Sequence, residues 1–127
     1  MKNQQFKEHF DWLDPVRDTS LMKSGNRATS FFVYLEASCE GGATAFPRIK
    51  RPKAPELCDA LLCHDENGNE VDWLEVKPKV GRAIFWHNLD PAGEVDENTL
   101  HAGKPVTKGI KVGLNIWTRE KNWKSAQ

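Results

Sequence analysis

An all-β sandwich or barrel is the fold this sequence predicts. Three observations carry it. Residues 27–36 (RATSFFVYLE) are rich in aromatic and β-branched side chains. Residues 110–117 alternate cleanly, with Ile110, Val112, Leu114 and Ile116 on one face and Lys111, Gly113, Asn115 and Trp117 on the other. Turn signals separate short extended segments at roughly regular intervals.

The first patterned segment is residues 5–13. Side chains alternate faces along a strand, so Phe6, Glu8, Phe10 and Trp12 share one side and Lys7, His9, Asp11 and Leu13 the other. Asp14-Pro15 ends the run, and the stretch to Gly25-Asn26 reads as a loop. After the 27–36 strand, Cys39-Glu40-Gly41-Gly42 reads as a turn. Residues 44–46 form a short extended piece closed by Pro47. Residues 50–55 are basic and proline-bearing, the mark of a solvated loop that could also steer a peptide by its charge. Residues 56–63 fit a short helix or a strand, and the pattern does not separate the two. Residues 64–69 are a polar turn, residues 80–86 another strand, and residues 90–98 a polar loop. There is no internal repeat and no low-complexity segment.

The 127 residues suffice for one domain spanning 1–127. Eighteen basic residues balance eighteen acidic ones, which speaks against a nucleic-acid binder. No run of about 18 apolar residues appears, so no membrane span is expected. The opening MKNQQFKEHF is polar and lacks the apolar core of a signal peptide. The cysteines, Cys39, Cys58 and Cys63, allow one bridge plus a free thiol, or three thiols.

The chemistry is concentrated in His9-Phe10-Asp11. An imidazole and a carboxylate two residues apart on a strand meet one cation from the same side, and both suit a first-row divalent metal. A second histidine from a distant strand would complete a two-His-one-carboxylate set with open coordination positions. Of His64, His87 and His101, the last is the best third ligand. It follows a polar loop and opens a turn of small residues, Leu100-His101-Ala102-Gly103, well separated from Asp11 along the chain. Ten residues on comes Lys111, inward on the last strand, a cation suited to the remote carboxylate of a dicarboxylic acid. Gly113 beside it would let that acid approach the backbone. A bare His-x-Asp is a weak signal, and a solvated strand pair would read the same way. The spacing of His101 and Lys111 is independent of it and strengthens it.

With these residues in place, the chain resembles the prolyl 4-hydroxylase branch of the iron(II)- and 2-oxoglutarate-dependent dioxygenases. The matching stretches are EHFDW, RATSFFVYLEASCEGGATAFP, KPKVGRAIFWHNL and DENTLHAGKPVTKGIKVGLNIWTRE. They occur in the family's order over nearly the whole chain, and the last is the most specific. The resemblance implies a double-stranded β-helix, or jelly roll, with the metal in one mouth. It implies iron(II) held by His9, Asp11 and His101, and 2-oxoglutarate held by Lys111, with Thr44 near the same carboxylate and Trp117 an inward aromatic at the pocket. It further implies hydroxylation at C4 of proline in a peptide or protein, with succinate and carbon dioxide as co-products and L-ascorbate as reductant. The same chemistry on another residue or small molecule, or a metal-binding scaffold without turnover, are the alternatives.

The family carries helices and early strands ahead of the His-x-Asp strand, including a tyrosine at the co-substrate. Met1 precedes this strand too closely for them, so the resemblance implies a domain truncated at its N-terminus. The outer face bearing Ile110, Val112, Leu114 and Ile116 would then be bare, and an oligomer or partner would cover it. A cysteine pair occurs in the 58–63 region of fungal-looking relatives, so a Cys58–Cys63 bridge fits the resemblance and an oxidising compartment such as the endoplasmic reticulum; the cytoplasm is the other option. Trp73, Trp86 and Tyr34 are expected in the core or at its rim.

Overall fold

A computed structural model describes residues 5–121 of the chain. Among these residues seven strands form two antiparallel sheets: β1 (Phe6–His9), β2 (Arg27–Gly41), β3 (Thr44–Lys50), β4 (Trp73–Val76), β5 (Ala83–His87), β6 (His101–Gly103) and β7 (Val106–Arg119). One sheet has the order β1-β6-β3-β4 and the other β5-β2-β7. This is the jelly roll the resemblance implies. Single 3-10 turns at Thr19–Leu21, Pro55–Asp59 and Glu97–Thr99 are the helical elements among the described residues.

β2 organises the molecule because its two faces differ in kind. Inward, Ser30, Phe32 and Tyr34 stand beside Trp117, Asn115 and Gly113 of β7, and Ser30 and Phe32 beside Trp86 and Ile84 of β5. Outward, Phe31 lies between Ile116 and Phe85, and Val33 beside Leu114. The inward face closes on a core of Tyr34, Leu61 and Val76, flanked by Phe32, Ala37, Leu74 and Ile84. The outward face stays open: Ile110, Val112, Leu114 and Ile116 are all exposed, as expected from the resemblance.

Several boundaries differ from those read in the sequence. Residues 39–40 continue β2 and pair with Gly109 and Lys108. The turn therefore falls at Gly41-Gly42, whose φ angles of 75° and 76° are open to glycine at little cost. Pro47 does not close β3. The ladder to β4 is irregular between Phe46 and Lys50, and that irregularity tolerates a residue with no N–H to donate. Strand β5 begins at Ala83 rather than Val80, because the chain turns at Gly81 with φ 83°. Residues 56–63 are a 3-10 turn followed by an isolated bridge from Leu61 to Val76. β4, only four residues long and interrupted by Glu75, has too little alternation to be read in advance. The basic loop is not uniformly solvated, since Arg51 is buried.

Candidate metal centre

β1 carries His9 to the mouth of the barrel and ends there; Asp11 lies in the bend just beyond it rather than on the strand itself. The loop is fixed by Asn26, which is buried. Its side chain accepts from the Leu13 N–H at 2.6 Å and donates to the Leu13 carbonyl at 2.9 Å. His101 is the first residue of β6, not part of a turn, and β6 lies between β1 and β3. Opposite one another in the β1–β6 ladder are His9 and His101 themselves. Strand pairing brings the two histidines together, and the bend after β1 turns Asp11 in beside them.

Their hydrogen bonding aims them at one point. His9 Nδ1 lies 2.7 Å from the Lys7 carbonyl, and His101 Nδ1 lies 2.8 Å from the Thr99 carbonyl. A carbonyl can only accept, so each Nδ1 donates and each Nε2 is left facing the site. Asp11 is divided in the same way. Its Oδ2 accepts from Ser30 Oγ at 2.6 Å and Trp117 Nε1 at 3.1 Å. Its Oδ1 lies 3.6 Å from His9 Nε2 and 3.2 Å from His101 Nε2. The ligand atoms of the three residues lie within 4.8 Å of one another. Among the described residues this is the cluster with metal-binding character. Two imidazole lone pairs and a carboxylate oxygen that converge are three acceptors, and a divalent cation satisfies all three. The donor set therefore fits iron(II).

Electrostatics agree. Burial raises the Asp11 pKa, but the facing His101 imidazole and the hydrogen bonds from Ser30 and Trp117 together outweigh it. They hold the group at about 2, against 3.8 ordinarily. Asp11 is thus an anion at any working pH. Asp11 and His101 are buried while His9 is half-exposed, so the site is open on the His9 side. Phe46 and Trp86 pack on the His101 ring, with centroids 5.4 and 4.9 Å away.

The cluster sits in a cleft of about 720 Å³ whose lining also includes Thr44, Trp86, Lys111, Gly113 and Trp117. The six site residues read from the sequence, His9, Asp11, His101, Lys111, Thr44 and Trp117, therefore share one cavity. The Lys111 ammonium stands 5.7 and 5.5 Å from the ring centroids of Phe32 and Tyr34. Among the described residues it has no carboxylate within ion-pair distance. Burial lowers its pKa. A desolvated cation without a counter-ion is a receptor for an anion. Thr44 Oγ1 lies 2.5 Å from the hydroxyl of fully buried Tyr34, so Tyr34 holds Thr44 from behind and is a core residue. Gly113 has a different role from the one expected. A Cβ there would fall 2.3 Å from the Phe32 ring, so the glycine makes room for Phe32, which in turn floors Lys111.

Three contributors went unnoticed in the sequence: Ser30, Asn88 and Arg27. Trp86 Nε1 donates to Asn88 Oδ1 at 2.8 Å, Asn88 Nδ2 to Ser30 Oγ at 2.9 Å, and Ser30 Oγ to Asp11. Ser30 and Asn88 are fully buried. The Arg27 guanidinium lies 4.0 Å over the Trp117 ring and reaches the Asp11 carbonyl at 3.4 Å. A small polar residue at an inward position of an aromatic strand was the available signal for Ser30. Nothing local marks Asn88.

A two-sheet barrel with a two-His-one-carboxylate cluster in its mouth and an anion receptor beside it defines the class of mononuclear-metal jelly rolls. The chain belongs to the 2OG-Fe(II) oxygenase superfamily, whose family model matches residues 1–119. It is similar to prolyl 4-hydroxylase subunit alpha-2 of Gallus gallus, 34% identical over 117 residues, which cover 92% of this chain and 18% of that protein. It is 31% identical to prolyl 4-hydroxylase 13 of Arabidopsis thaliana over 120 residues, 94% of this chain and 40% of that protein. Among solved structures it resembles the viral collagen prolyl hydroxylase of Paramecium Bursaria Chlorella virus-1 in its 2OG complex. There the TM-score is 0.62 at 28% identity, covering 94% of this chain and 54% of that one. The chain therefore spans well under half the length of these two relatives and about half of the solved structure.

Proposed function

We propose that this chain carries the site of an iron(II)- and 2-oxoglutarate-dependent dioxygenase that hydroxylates C4 of prolyl residues in a peptide or protein. One observation supports it above the rest: a half-committed carboxylate and two backbone-anchored imidazoles share a cleft with an unpaired, desolvated lysine. His9 Nε2, Asp11 Oδ1 and His101 Nε2 would hold the metal. Lys111 would bind the remote carboxylate of 2-oxoglutarate, with Thr44 at the same end. Trp117 would hold Asp11 in place and wall the pocket. When bound, iron(II) and 2-oxoglutarate supply oxygen activation coupled to decarboxylation of the co-substrate to succinate. The protein's share is to fix the ligands, anchor the anion and keep water from the buried side of the cleft. Similarity to prolyl 4-hydroxylases supports a prolyl substrate, and ascorbate as reductant belongs to the same proposal.

The test is incubation of the purified chain with iron(II), 2-oxoglutarate and proline-rich peptides. Expected are succinate formation and a peptide gain of one oxygen on proline, with both lost in His9→Ala and Asp11→Ala variants that remain folded. Full turnover in either variant would end the ligand assignment, and oxidation at another residue would end the prolyl assignment. The exposed outer face of β5-β2-β7 favours a partner or second copy in the working assembly. The Cys58–Cys63 bridge favours an oxidising compartment such as the endoplasmic reticulum.

A further inference from the structure

A second buried cation, Arg51, lies outside the metal cleft. Its Nε donates to the Val71 carbonyl at 2.7 Å, one terminal nitrogen to Glu70 Oε1 at 3.0 Å, and the other to Cys63 Sγ at 3.2 Å. Cys63 is bonded to Cys58. A bridged sulfur is a weak acceptor. A guanidinium placed on it gains far more when that sulfur carries charge. The two half-cystines also differ in access, since Cys63 is buried at 5% exposure and Cys58 is partly exposed. The opposing charge is moderated: Glu70, which shares Arg51, is itself bound by Lys53 at 2.7 Å.

We propose that the Cys58–Cys63 bridge is a thiol-addressable, reversible crosslink, opened by attack at Cys58 with Cys63 leaving as a thiolate held by Arg51. An external thiolate forms a new S–S bond to Cys58 Sγ while the Cys58–Cys63 bond breaks, and the electron pair departs on Cys63 Sγ. A second external thiolate then attacks the external sulfur of the mixed disulfide, releasing Cys58 as a thiolate. The two external thiols are oxidised to one disulfide and the protein cystine is reduced by the same two electrons. A leaving thiol of lower pKa departs faster, which is the service Arg51 renders. The reactant is a small monothiol.

The crosslink reaches into the core. Between the cysteines lies Leu61, whose backbone bridges to Val76 and whose side chain packs with Tyr34. The adjoining Leu62 N–H donates to the Glu75 carbonyl, and Lys77 N–H to that of Ala60. Opening the bridge removes the covalent restraint on the segment that supports Tyr34. This inference does not depend on the oxygenase reading, and its test needs no turnover.

The experiment uses the full chain carrying Cys39→Ser, so that one cystine is the only sulfur pair. Reaction with reduced glutathione, acid quench and peptide mapping locate the adduct. The expected result is glutathione on Cys58 with Cys63 free, and opening slowed about tenfold in Arg51→Met, because the leaving thiolate loses its guanidinium partner. An adduct mainly on Cys63, an even split, or an unchanged rate in Arg51→Met overturns the proposal. If Arg51→Met does not fold, Cys58→Ser in the same background leaves Cys63 as the sole thiol. Its thiolate absorbance should then appear with a midpoint below the ordinary value of about 8.5. A midpoint at or above that value refutes the role of Arg51.

Discussion

Ser30→Ala removes a single oxygen atom that would not itself touch the metal, yet the structure makes it a test of how the centre is built. Ser30 Oγ donates to Asp11 Oδ2 at 2.6 Å and accepts from Asn88 Nδ2 at 2.9 Å. A hydrogen bond to a charged acceptor contributes about 1.5–3 kcal/mol, and the asparagine left without its acceptor adds a further penalty of about 1–3 kcal/mol. Trp117 Nε1 remains on Oδ2 at 3.1 Å, so the carboxylate is loosened rather than released. Loss of a partner behind a metal ligand typically lowers metal affinity about 10- to 100-fold, or about 1.4–2.7 kcal/mol, which matches the energy of the bond removed. Titration of the metal-free protein with iron(II) under anaerobic conditions, or with cobalt(II) as a spectroscopic substitute, measures this directly. The expected result is affinity reduced at least tenfold in Ser30→Ala. Trp117→Phe should give a smaller loss, and the double variant less than the sum, because both donors serve one oxygen. Wild-type affinity in a folded Ser30→Ala protein would refute the view that Oδ2 is committed so that Oδ1 can ligate.

The remaining predictions rest on other parts of the cleft. Lys111→Ala should raise the 2-oxoglutarate requirement far more than it lowers maximal turnover, measured as KM against kcat; an unchanged KM would remove Lys111 from the anion site. Because burial depresses the Lys111 pKa, 2-oxoglutarate binding should weaken with rising pH before an ordinary lysine would titrate, and a pH series of binding constants checks this. Gly113→Ala places a methyl 2.3 Å from the Phe32 ring, and overpacking of this kind costs about 1–3 kcal/mol. A fall in Tm of several degrees is expected, with no fall contradicting the packing argument. Burial pushes the Tyr34 phenol up to about 12, partly offset by its bond to Thr44. Since this raises the folded pKa above the unfolded value of about 10, the associated stability is intact below pH 10 and is lost as pH rises toward 12, on the order of 3 kcal/mol in all. Tyr34 is the only tyrosine in the chain, so absorbance at 295 nm reports it alone. Ionisation near 10 without unfolding would refute its burial.

The fold class, and the six residues that share the cleft, could be named from the sequence because each depends on local pattern or on matched segments. Alternation over 110–117 reports a strand with two chemically different faces, which side-chain chemistry alone decides; that the apolar face is the open one was decided by the fold. The His-x-Asp pair and Lys111 stand out because a metal and a dicarboxylic acid would demand such atoms. What tertiary structure alone decided is the orientation of those atoms. His9 and His101 meet because β1 pairs with β6, and Asp11 joins them from the bend beyond β1 rather than from the same strand face. The network from Trp86 through Asn88 and Ser30 to Asp11 joins residues up to 77 positions apart (11 to 88). No period in a sequence encodes a contact between strands whose neighbours are set by the whole sheet order. For the same reason Gly113 answers to Phe32 across the β2–β7 ladder, and Arg51 to Cys63 across a loop. Each is an ordinary residue in its own segment and acquires its meaning only from what the fold sets against it.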